Sequence, residues 1–188
     1  MNLQKLIKEA QKAQRKAAEA QERIGSLLGG LFREDGPAPA QAAAIFFDNV
    51  AFAPPGAEGD QLIREAVETL VRLGLYAEAA DILDHQVRKR LRGGERSAVA
   101  ARLAELKLAA GEPQDALDAL RSTRLHGLPE ALVERRHVLE ARALSESGEH
   151  QAALALLVGA QSETLIDLRA SIAWRARLWR EAARSYAA

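Results

Sequence analysis

The 188-residue chain has no cysteine, which removes disulfide frameworks and thiolate chemistry together. Aromatic residues make up only 4%. β-branched and aromatic strand formers are scarce, so the composition argues against a sheet-based core. Net charge is also missing, because 26 Lys and Arg balance 26 Asp and Glu. A nucleic-acid binder normally shows a basic excess or a concentrated basic face. No uncharged stretch, including 36–47 and 151–161, approaches the roughly 20 apolar residues of a membrane span. The first 23 residues carry a charge every few positions, so no signal-peptide apolar run is present. These absences point to a cytoplasmic, membrane-free, all-α protein whose abundant alanine lets helices pack closely.

Residues 1–28 read as one amphipathic helix. In heptads from Leu3, the a and d positions are Leu3, Leu6, Ala10, Ala13, Ala17, Ala20, Ile24 and Leu27, all apolar. A 3.5-residue seam over four heptads predicts a self-association or docking face. The alternative is a helix lying on its own repeat domain. Gly29-Gly30 ends the helix, and 29–41, containing Asp35-Gly36-Pro37-Ala38-Pro39, reads as a linker. Domain 42–188 follows, opening with a short helix over 42–50 in which Phe46 and Phe47 are expected to anchor the core.

From residue 60 a repeat emerges. Gly74-Leu75-Tyr76-Ala77-Glu78-Ala79 recurs as Gly111-Glu112-Pro113-Gln114-Asp115-Ala116, as Gly148-Glu149-His150-Gln151-Ala152-Ala153 and as Arg177-Leu178-Trp179-Arg180-Glu181-Ala182. The copies are 37, 37 and 29 residues apart. The glycine suits a left-handed helix end, and the alanine five residues on lets a second helix lie close. Seven residues before each loop stand Val67, Ala104, Ala141 and Ala170. Four beyond each alanine stand Leu83, Leu120, Leu157 and Tyr186. The spacing predicts helix pairs at 60–74 with 76–91, 95–110 with 113–124, 130–147 with 149–159, and 163–176 with 178–187.

These stretches resemble the tetratricopeptide consensus over about 60–188, whose repeat is roughly 34 residues. The segment from Phe47-Asp48-Asn49-Val50-Ala51-Phe52 onward, with Leu139-Glu140-Ala141-Arg142 and Trp174-Arg175-Ala176-Arg177, is similar to the C-terminal tail of large bacterial tetratricopeptide proteins of unknown function. The resemblance implies a right-handed superhelix of helical hairpins with a concave face lined by the first helix of each pair. It puts Arg64, Glu68, Arg72, Glu105, Arg135, Arg142, Glu146 and Arg175 on that face, for a protein or peptide ligand. Arginine binds carboxylates through two hydrogen bonds, which suits extended or acidic segments. The asparagine-and-lysine clamp for chaperone C-termini is missing, since Asn2 and Asn49 lie outside the repeats. Ordinary solvated charge is the alternative for each position.

The opening, Met1-Asn2-Leu3-Gln4-Lys5-Leu6 through Gln11-Lys12-Ala13-Gln14, resembles the first helix of small nucleoid-associated DNA-binding proteins of the YbaB/EbfC type. Those proteins continue into a sheet, and nothing strand-like follows here. The helix carries Lys5, Lys8, Lys12, Arg15, Lys16 and Arg23 against Glu9, Glu19 and Glu22, a net charge of only +3, so nucleic acid is not the expected partner. Two unrelated resemblances in one chain point to a fusion, a truncation or an artificial sequence. Trp174 and Trp179 flank the last loop, and no polar cap follows them.

No catalytic motif is recognisable. Asp81 with His85 and Glu134 with His137 have helical spacings that bring a carboxylate beside an imidazole. A carboxylate-bridged di-metal site needs a second Glu-x-x-His, and none exists. Gly29-Gly30 and Gly93-Gly94 lack the lysine and threonine of a phosphate loop. The expectation is a non-enzymatic interaction scaffold without metal or cofactor, with self-assembly through the seam as the alternative.

Overall fold

The computed structural model describes residues 3–33, 35–159 and 162–186. Among these it is all-helical, with ten α-helices, one short 3-10 turn and no strand. Helices α1 (Leu3–Gly29), α2 (Pro39–Asn49), α3 (Gly56–Arg72) and α4 (Tyr76–Lys89) come first, with the 3-10 turn Val50–Phe52 between α2 and α3. Then follow α5 (Gly93–Ala109), α6 (Pro113–Ser122), α7 (Glu130–Glu146), α8 (His150–Leu156), α9 (Glu163–Arg175) and α10 (Trp179–Tyr186). The chain divides into two compact units, Met1–His85 and Gln86–Ala188, with the division inside α4. No helix among the described residues is long and apolar enough to cross a membrane.

In the second unit, α5 packs on α6, α7 on α8 and α9 on α10. The first helices also touch one another, α5 with α7 and α7 with α9, while α6 meets α7 and α8 meets α9. That is the neighbour pattern of stacked hairpins. One buried cluster of this unit has 16 residues, and alanine supplies half of them. Small side chains let the helix axes approach toward the close end of the roughly 8–10 Å range. The expected small positions are buried without exception: Val67 at 2% exposure and Ala104, Ala141 and Ala170 at 0%. Leu83, Leu120 and Leu157 are buried as well. The side chain of Tyr186 lies outside the described residues.

The four loop copies share one hydrogen-bonding pattern. Gly74, Gly111 and Gly148 have φ of 76°, 79° and 84°, and Arg177, the arginine of the fourth copy, reaches 59°. The next residue donates back five positions: Leu75 to Leu70 O at 2.9 Å, Glu112 to Lys107 O at 2.8 Å, Glu149 to Leu144 O at 2.8 Å and Leu178 to Ala173 O at 2.9 Å. Each loop residue itself donates to the carbonyl three positions earlier, at 3.0–3.1 Å. Together these form the Schellman closure, which occupies carbonyls that a helix end leaves without partners. Ala79, Ala116, Ala153 and Ala182 then sit in the first turn of the second helix, at 0–2% exposure.

Several expected boundaries shift. α2 starts at Pro39, inside the stretch read as linker, because proline is well suited to the first helical turn. α3 begins at Gly56, four residues before the expected start, immediately after Pro54-Pro55. α8 is only seven residues long and ends before Leu157. Phe46 is fully buried against Phe32, with ring centroids 5.8 Å apart, but Phe47 is only half-buried. Adjacent helical residues point about 100° apart, so one core cannot take both rings.

No heavy atom lies within 4 Å of a Cβ built on Gly148, so a methyl there meets only conformational strain. Gly148→Ala is expected to destabilise the chain by roughly 1–2 kcal/mol. Arg177→Gly relieves the same strain at a smaller entropic cost and is expected to stabilise it by up to about 1 kcal/mol. Urea denaturation of the two variants against the parent checks both signs.

Candidate functional site

The expected groove positions fall into separate groups. In the first unit, Arg64, Glu68 and Arg72 lie one turn apart along the exposed side of α3. With Leu31, Phe32, Pro37 and Ala42 they line an open depression beneath the 31–42 segment. Arg64 Nη2 donates to Gln61 Oε1 at 2.7 Å, and Arg72 Nη2 donates to Thr69 Oγ1 at 2.9 Å. Leu31, Phe32, Arg33, Pro37, Pro39 and Ala42 form one wall of the depression.

In the second unit, α5 and α7 bring Glu105, Arg135 and Arg142 around a shallow depression. Val138 and Leu139 supply its apolar surface, and Thr164 of α9 lines it too. Glu105 is held from two sides: Arg135 Nη2 is 2.6 Å from its Oε1 and Arg102 Nη1 is 3.1 Å from its Oε2. Arg142 is bound less closely, 3.8 Å from Glu146, with its side chain about half exposed. Arg175 is exposed on α9. Glu134 accepts a hydrogen bond from Ser162 Oγ, the N-cap of α9, so its carboxylate is committed to tying α7 to α9. His137 is exposed, and no group of three potential metal ligands occurs among the described residues.

Beneath this surface lies Arg136, which sequence reasoning did not single out. It is 7% exposed, and desolvation pushes its guanidinium below the ordinary arginine value. Nearby Glu140 opposes that effect and Arg124 adds to it. Nη1 donates to Ser97 O at 2.7 Å, while Nη2 donates to Leu120 O at 2.5 Å and Thr123 Oγ1 at 3.3 Å. One planar fork on α7 thus ties the first turns of α5 to the end of α6, and only an arginine presents donors in that geometry. Glu140, one turn on, accepts from Arg124 Nη2 at 3.0 and 3.1 Å, one contact to each oxygen, with Arg121 Nε 3.7 Å from Oε1.

The heptad positions of α1 are almost wholly uncovered. Leu6 is 43% exposed and Leu27 75%, and Ala10, Ala13, Ala17 and Ala20 are exposed too. Ile24 is half-buried, and the side chain of Leu3 lies outside the described residues. α1 meets α3 and the 3-10 turn through a different strip, where Gly25 and Leu28 are buried. A Cβ on Gly25 would come within 3.0 Å of Pro54 Cγ, so glycine permits that close approach. Trp174 and Trp179 pack edge to face at 4.7 Å, yet remain 63% and 52% exposed.

No protein-family model matches the chain, and no curated protein or solved structure matches it either. Removing the Arg136 fork would take a buried donor from the carbonyls of Ser97 and Leu120 and leave a void, so Arg136→Ala is expected to cost roughly 3 kcal/mol. Arg136→Lys is expected to recover only part of that, because one ammonium cannot span both carbonyls. Chemical denaturation midpoints of both variants check the order.

Proposed function

We propose that the chain is a non-enzymatic, cytoplasmic interaction scaffold of the tetratricopeptide type. In this reading its hairpins coil into a right-handed superhelix and hold an extended peptide or protein segment against the first helices. The observation that carries it is the depression in which Glu105, Arg135 and Arg142 surround Val138 and Leu139. Charged side chains around a small apolar floor suit a polar, extended ligand better than an apolar helix. Arg142 is the natural carboxylate contact, since its own ion pair is long and half exposed. Glu105 keeps Arg135 partly neutralised, which would favour a mixed-charge segment over a purely acidic one. The absence of any recognisable catalytic motif supports the non-enzymatic part.

A self-assembling structural module is the second reading, favoured by the exposed apolar stripe of α1. DNA association has weaker support, because three glutamates interrupt the six basic residues of that helix.

The groove reading is tested with a display library of extended peptides carrying Asp or Glu at varied positions. Arg142→Glu is expected to weaken the selected peptide about tenfold, the scale of losing one charge-assisted contact. Arg180→Glu, an exposed site on the second helix α10, should leave affinity unchanged. Fluorescence anisotropy reads both. Equal binding by the parent and Arg142→Glu would reject the groove.

A further inference from the structure

We propose that α1 pairs with α1 of a second copy of this chain, antiparallel, about a twofold axis at residue 15. This goes beyond the groove reading and does not rest on it. The seam is symmetric about that residue: Leu3 is matched with Leu27, Leu6 with Ile24, Ala10 with Ala20 and Ala13 with Ala17. In an antiparallel pair, a positions meet d positions, so those matches become the contact layers. Large side chains pack at both ends, and alanines meet alanines in the middle, where the two helices cross closely.

Charge selects the orientation. The g positions are Glu9, Lys16 and Arg23, and the e positions are Ile7, Gln14, Gln21 and Leu28. Flanking residues of this kind set partner choice and orientation in coiled coils. Antiparallel pairing places Glu9 against Arg23 of the second copy, and the twofold axis repeats that contact. Lys16 meets its own copy at the axis, a like-charge contact partly offsetting the gain. Parallel pairing would set Glu9 against Gln14, Lys16 against Gln21 and Arg23 against Leu28, with no opposite-charge contact at all.

The structure leaves the necessary face free. The body of the first unit covers α1 on the strip through Gly25 and Leu28, away from most of the seam. Ile7, 49% exposed and outside the a/d seam, also gains a partner. The antiparallel register sets Ile7 of the second copy beside Gln21, at the rim of a crevice between α1 and residues 52–65. That rim carries Glu22, Glu58 and Glu65 against Arg33. Its acidic bias complements the arriving end of the second copy, which bears Lys5, Lys8 and Lys12. The 27-residue helix is about 40 Å long, enough for all four heptads to engage.

Light scattering on the full chain should give twice the 20.4 kDa chain mass at about 100 µM. A monomer at that concentration would overturn the proposal. Because the chain has no cysteine, engineered thiols report the register cleanly. In the antiparallel pair, the two copies of position 10 stand about 15 Å apart along the axis, beyond the roughly 7 Å reach of a disulfide. Ala10→Cys alone should therefore stay uncross-linked under oxidation, whereas mixing it with Ala20→Cys should yield the heterodisulfide. Efficient self-cross-linking of Ala10→Cys would instead establish the parallel pair and overturn the orientation. Glu9→Lys should raise the dissociation constant about tenfold, by making two exposed contacts repulsive, and adding Arg23→Glu should restore it. Ala13→Glu with Ala17→Glu should give a helical monomer by circular dichroism and mass. A surviving dimer in that variant would show that another surface assembles the chain.

Discussion

Every hairpin in the repeat region reverses direction across three residues, and the middle one must take a left-handed conformation. Glycine does this at three of the loops and Arg177 at the fourth. The left-handed residue aims the next amide back at the carbonyl five positions earlier, so the helix end is closed by the turn itself. A reversal of fixed length leaves no freedom in the start of the second helix. The fifth residue after the left-handed one arrives buried between the two helices, where a side chain as small as alanine lets them lie close. The alanine-rich core follows from the turn, because close crossing demands small residues at the crossing points and leucine only further along.

Close packing of this kind buries little apolar area per residue, so polar connections between hairpins carry more weight than they would in a leucine-rich core. Arg136 illustrates the consequence. α6 ends at Ser122, where the carbonyl of Leu120 takes only 3.3 Å bonds from Thr123, so the Arg136 donor at 2.5 Å is its closest partner. A methionine or leucine at 136 would fill space but answer neither that carbonyl nor the one at Ser97. The buried fork fixes α7 against both helices of the preceding hairpin. It thereby sets the outward positions of its neighbour Arg135 and of Arg142, so the surface chemistry depends on a residue facing the opposite way.

The repeat was legible because its signals are local: a loop glycine, an alanine five later and small residues seven earlier all act within one hairpin. Helix ends are less legible, since Pro39 opens α2 inside the expected linker and α3 starts just after Pro55, four residues before its expected start. Arg136 could not be found this way. Its burial comes from three helices converging, and in sequence it is one more charge in the run Glu134-Arg135-Arg136-His137. The resemblance offers Arg64 through Arg175 only as positions on one concave face, without saying which of them meet. Yet Glu105 and Arg135, 30 residues apart, bond to each other, a contact that one helix's periodicity cannot express. Likewise the heptad seam identified the apolar stripe of α1 but not the strip through Gly25 that attaches the helix, because a glycine contributes nothing to an apolar pattern.

That internal pair shapes how the groove would meet a ligand. Arg135 is about half exposed and Glu105 about a quarter exposed, so their bond is of the kind worth roughly 0–1 kcal/mol. Exchange of Glu105 for an incoming carboxylate would therefore cost little, but it would also return little, since one solvated pair replaces another. Arg142 differs, because its 3.8 Å separation from Glu146 leaves guanidinium donors for a tighter contact. Discrimination between ligands would then rest on whether a carboxylate reaches Arg142 while an apolar side chain covers Val138. A ligand meeting only the Arg135 end would gain almost nothing over water. The charged rim would thus select by position along the segment and not by total charge, which is how a chain of zero net charge can still present a specific electrostatic surface.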